Sequence, residues 1–89
     1  MSYAAVTITT SATLIVAANT RRRNLTIVSN SSSTIHIGPD DSITTSNALP
    51  LYGRSTRDQD LIPEGYQGDI YGIVGSGTAG IRYWEVLTG

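Results

Sequence analysis

Residues 21–38 read RRRNLTIVSNSSSTIHIG, and the fold class turns on them. Leu25 and Ile27, then Ile35 and Ile37, recur at every second position with polar or small partners between them. Successive side chains of a strand leave opposite faces, so this period marks half-buried strands. The spacer Asn30, Ser31, Ser32 and Ser33 is polar and turn-prone. The two runs are therefore expected to pair as a β-hairpin closed by a loop of about four residues. The stretch also holds the densest charge of the chain, Arg21, Arg22 and Arg23, and its one histidine, His36.

The same pattern extends in both directions. Upstream, Val6 and Ile8 alternate with Thr7 and Thr9, and residues 13–18 form a short apolar run, TLIVAA. That run suits a strand covered on both faces, or an edge that pairs with a neighbouring copy. Downstream, Gly38, Pro39, Asp40 and Asp41 make a turn, and residues 43–45 are expected to form a brief strand. Pro50 has no N–H to donate, so residues 49–52 belong to an edge or an extended loop. Residues 53–60, GRSTRDQD, read as a charged loop, and Leu61 with Ile62 as a short buried strand.

The last third is the most strand-like. Residues 70–74, IYGIV, carry a central Gly72 that implies a bulge or a close neighbour. After the turn at Gly75, Ser76, Gly77 and Thr78 comes a long final strand. There Ile81, Tyr83, Glu85 and Leu87 share one face, and Arg82, Trp84 and Val86 share the other. These last two strands are expected to form a second hairpin. In all, about seven or eight short strands with frequent turns predict an all-β chain, a compact antiparallel β-sandwich or small jelly-roll-like barrel.

Composition agrees. Serine and threonine make up about a quarter of the residues, glycine numbers nine, and no stretch shows a helical apolar stripe. Eighty-nine residues make a single β-domain. A chain this size buries only about 60–65% of its unfolded surface, and without cysteine no disulfide assists it. Association with other copies or a partner is the expected remedy, and residues 1–18 are an arm suited to exchange with or packing on that partner. No run of about 18 apolar residues is present, so no membrane span is expected. The first residues lack a basic leader, which predicts a protein made and used without classical secretion.

All six cations are arginine, yet the net charge is −1. No general field favours nucleic acid or an anionic membrane, and neither is an expected partner. Arg21, Arg22 and Arg23 suit an acidic protein surface, because the guanidinium fork matches carboxylates. Arg54 and Arg57 in the charged loop, with the amphipathic rings of Tyr52 and Trp84, complete the expected partner-binding set. With no phenylalanine, some tyrosine rings must fill the core.

Enzymatic readings are poorly supported. His36 points away from the face of Ile35 and Ile37, and no nucleophile elbow accompanies it. The Asp40, Asp41, Asp58 and Asp60 set lacks the glycine and glutamate of a calcium loop. Nothing in the sequence sets the separation of Glu64, Asp69 and Glu85, the carboxylates a glycosidase would need. Residues 75–80, GSGTAG, lack the lysine and the following helix of a phosphate loop. No catalytic residue, cofactor or metal is expected.

One order of motifs stands out. Arg21 to Arg23 lead into Asn24, Leu25, Thr26, Ile27, Val28, Ser29 and Asn30, followed by Ile35, His36, Ile37 and Gly38. Then come Ile43, Thr44, Thr45, Ser46 and Asn47, with Leu49, Pro50 and Leu51. The close is residues 68–73, GDIYGI, and residues 76–86, SGTAGIRYWEV. Across residues 14–87 this resembles a group of small tailed-phage virion proteins. The chain departs from that pattern in having Ala48 where glycine is usual and a longer, more charged link at residues 53–62. The resemblance implies a β-sandwich carried on the phage particle. It supplies no catalytic residues. The expectation is a capsid decoration protein, made in the host cytoplasm, that binds the major capsid protein and self-associates, with a trimer the first guess. The alternative is a tail or fibre module that binds host-surface glycan.

Overall fold

The computed structural model describes residues 2–29, 33–51 and 66–87. Among these residues seven strands are formed: β1 (Ser2–Ile8), β2 (Thr13–Val16), β3 (Arg22–Ser29), β4 (Ile35–Gly38), β5 (Leu49–Leu51), β6 (Ile70–Ile73) and β7 (Ala79–Leu87). They build two antiparallel sheets, one in the order β1-β7-β3 and the other in the order β2-β6-β4-β5. The all-β expectation holds, as a sandwich of two separate sheets. Residues 43–45 form no strand; Ile43 is nonetheless buried, at the turn between β4 and β5.

The apolar alternation meets between the layers. The three-stranded sheet contributes Ile8, Ala79 and Ile81, and the four-stranded sheet contributes Ile15, Val16, Ile35, Ile37 and Ile70. Most are β-branched, which suits a pleated surface. Val6, Leu25, Ile27, Tyr66 and Tyr83 pack against this cluster from its margin. Tyr66 and Tyr83 thus occupy places that phenylalanine fills in other cores.

Both expected hairpins are corrected. β3 pairs with β7 in one sheet, while β4 pairs with β5 and β6 in the other. β3 and β4 therefore lie in different layers of the sandwich instead of side by side within one sheet. β6 and β7 likewise lie in different sheets, joined through a turn whose Gly77 takes φ +65°. In a hairpin the apolar sides of both strands would face the same way. Here they face each other across the layers, which satisfies the same period-two pattern and encloses the core from both sides. Leu61 and Ile62 lie outside the described residues.

The Gly72 expectation is met. A Cβ added there would come within 2.9 Å of Ile15 Cδ1 and 3.3 Å of Ile8 Cδ1. The missing side chain lets the isoleucines of β1 and β2 close over β6. The strand opposite carries a bulge, between Leu14 and Val16, so that both Ile15 and Val16 turn inward.

Candidate partner-binding face

β7 is the central strand of the three-stranded sheet, and its two faces divide as its sequence implies. Ala79, Ile81 and Glu85 are buried, while Arg82 and Trp84 are exposed. Register places neighbours beside each outward residue. Trp84 lies opposite Tyr3 of β1 and Thr26 of β3, and Arg82 lies opposite Ala5 and Val28. Trp84 keeps 53% of its surface exposed and Val28 keeps 51%. An outward face thus forms around a tryptophan, with Val28, Arg82, Thr26 and Ala5 near it. Val28 escaped sequence reasoning because its place depends on pairing β3 with β7, which the alternation along one strand does not specify.

The arginine run splits. Arg21 and Arg23 are exposed, while Arg22 is buried. The Arg22 Nε donates to Glu85 Oε2 at 2.7 Å. Its other nitrogens donate to three carbonyls, of Tyr66 at 3.2 Å, Gly68 at 3.0 Å and Ala17 at 2.8 Å. A bulge in β3 between Arg22 and Asn24 accounts for this. Strict alternation counted back from Ile27 and Leu25 would turn Arg23 inward. The extra residue reverses that parity, so Arg22 enters and Arg23 leaves. Arg22 thereby drops out of the expected partner-binding surface: its guanidinium is enclosed.

Around Arg22 the connection 17–22 is tied to the segment ahead of β6. The Asn19 N–H donates to the Gln67 carbonyl, and the Gln67 side-chain amide donates to the Thr20 and Arg22 carbonyls. The Ala18 N–H donates to Asp69 Oδ1, and the Tyr66 hydroxyl donates to the Asp69 carbonyl. Of the carboxylates considered for glycoside hydrolysis, Glu85 is engaged with Arg22 and Asp69 with Ala18; Glu64 lies outside the described residues.

His36 occupies the outer face of the four-stranded sheet, opposite Pro50 and Ile73, away from the buried Ile35 and Ile37. Its Nδ1 is buried with no hydrogen-bond partner among the described residues. Asp40 accepts from the Ser42 N–H and hydroxyl, and the hydroxyl bond followed by the backbone one holds its carboxyl below the usual value of 3.8. Among the described residues no three His, Cys, Asp or Glu side chains group as metal ligands. Tyr52, Arg54 and Arg57 lie outside the described residues, as do Asp58 and Asp60. Arg21, Arg23 and Trp84 remain at the surface.

No family model matches the chain, and neither a curated protein nor a solved structure is found to be similar to it.

Proposed function

We propose that this chain is a non-enzymatic structural protein of a phage particle, which decorates the capsid by binding coat-protein subunits through the outer face of its three-stranded sheet. The observation that carries the binding role is Trp84, more than half exposed at the middle of the central strand. A tryptophan left exposed on the sheet keeps a large apolar ring in contact with water. It repays a partner by burying a large apolar ring, which is why such residues dominate interface energetics. Val28 beside it adds apolar area, and Arg82 adds a fork for a carboxylate. The assignment to a phage particle rests on the motif order across residues 14–87 alone.

The test is quantitative mass spectrometry of gradient-purified particles from the source, with immunogold labelling of intact ones. Many copies per particle with label over the head would support decoration. Few copies with label at the tail would shift the reading to a fibre module, for which exposed Trp84 is an equally good platform for a sugar ring. Absence from particles would sink both.

A further inference from the structure

A sandwich of two open sheets has four edge strands, and among the described residues they are β1, β3, β2 and β5. Edges offer unpaired backbone groups to any other strand, and proteins guard them with bulges, proline, charge or shortness. Three of these edges are guarded. β3 carries a bulge and an exposed arginine, Arg23. β2 has four residues and a bulge, and β5 has three residues centred on Pro50. β1 has none of these devices. Its seven residues, SYAAVTI, hold no charge, no proline and no glycine, and they pair with β7 in unbroken register from Ser2 to Ile8.

We infer that β1 is a self-association edge, where two copies of this chain pair β1 to β1 in antiparallel fashion about a two-fold axis. The strand fits its own copy. Two uncharged strands meet without repulsion, whereas an acidic or basic partner finds no charge to engage. Antiparallel pairing keeps like faces together only when the register sum is even, so Ala4, Val6 and Ile8 stay on the core side in both copies. Centring the pair on Ala5 uses all seven residues. The product is a six-stranded sheet in the order β3-β7-β1 followed by its mirror order. Its two outer edges are both the guarded β3, so growth stops at two copies rather than continuing as a fibre. This inference rests on the fold and not on the proposed coat contact. It replaces the trimer expected from the resemblance, and it sets two Trp84 rings roughly 20 Å apart on one face, from strand spacing and residue rise.

Ala5 is exposed and lies at the two-fold axis, so its substitution tests the pairing without disturbing the core. Sedimentation velocity over a concentration series is expected to show a monomer–dimer equilibrium. Ala5→Lys places two like charges face to face, each beside an Arg82, which should weaken association roughly tenfold or more, whereas Ala5→Glu lies opposite Arg82 and should weaken it less. Mixing the two variants should restore it, an outcome that misfolding cannot produce. Because the chain has no cysteine, Ala5→Cys should give a disulfide-linked dimer on mild oxidation, since directly opposed antiparallel residues have the required Cα separation. A monomer at every concentration overturns the inference. So does a trimer, or a dimer that tolerates Ala5→Lys or fails to cross-link at position 5, because the copies then meet elsewhere.

Discussion

Arg22 Nε lies 2.7 Å from Glu85 Oε2, and the two side chains keep 1% and 6% of their surface. The pair joins the first residue of β3 to β7 inside the sandwich, and the same guanidinium holds three carbonyls from two connecting segments. Removing one partner strands a buried charge, at a typical cost of about 3–5 kcal/mol. Arg22→Met and Glu85→Leu should each lower the urea midpoint sharply. Arg22→Lys should lose stability too, because a single ammonium cannot span a carboxylate and three carbonyls as the planar fork does. The Arg22→Met, Glu85→Leu double variant should be less destabilised than the sum of its single changes. Additive losses would mean that the pair is not coupled in solution.

Gly72 provides a second test of packing. Its place under Ile15 and Ile8 leaves no room for a methyl group unless an isoleucine gives way. Gly72→Ala should cost about 1 kcal/mol, the low end of the range for overpacking, because the nearest atom is the free end of the Ile15 side chain. Ile15→Val removes the nearest obstructing atom, Cδ1, and on its own costs about 0.5–1.5 kcal/mol. In that background Gly72→Ala should cost less than in the parent. Equal costs, measured by urea unfolding, would show that the approach of Ile15 is not what limits this position.

Much of the fold was legible because period two reports which side of a strand is apolar. Leu25, Ile27, Ile35 and Ile37 all turn toward the interior as their spacing implied, and Tyr83 and Trp84 part to opposite faces of β7. Pairing was not legible. Nothing in a polar spacer between β3 and β4 distinguishes a return within one sheet from a crossing between two, since both bury the same side chains. The fate of Arg22 was hidden for a related reason. One bulge residue reverses the parity of everything before it, and only the pairing of Asn24 with Val86 and Arg22 with Leu87 reveals it. Of the site, Trp84 was readable from its own strand. Its neighbour Val28 was not, because that depends on which strand lies beside β7.

Asp40 offers a prediction in pH. Hydrogen bonds from the Ser42 hydroxyl and then from the Ser42 N–H favour the ionised carboxylate and lower its pKa. A depressed carboxylate stabilises the folded chain above its ordinary unfolded-state value. That contribution is lost as pH falls through the folded value, so it disappears in the acid limb below 3.8. Ser42→Ala deletes the larger of the two causes. An NMR titration should then move the Asp40 carboxyl back toward the ordinary value, with the backbone bond leaving part of the depression. An unchanged titration would show that the Ser42 hydroxyl does not hold this turn in solution.

Trp84 separates stability from recognition. Its ring is more than half exposed and lies outside the buried cluster, so Trp84→Ala should change the unfolding free energy by less than about 1 kcal/mol. If the proposed coat contact holds, Trp84→Ala should weaken it roughly 30-fold or more, the loss expected for an aromatic hot spot worth about 2 kcal/mol. As the single tryptophan, it also reports its own surroundings. Emission from the free protein should resemble that of a solvated indole and shift to shorter wavelength when the coat protein is added. A blue shift that saturates with binding, together with loss of affinity in Trp84→Ala, places the ring inside the interface. Binding without any spectral change, and undiminished in the alanine variant, would move the interface off the outer face of the three-stranded sheet and leave the exposed Arg21 and Arg23 at the other end of β7's pairing as the next residues to change.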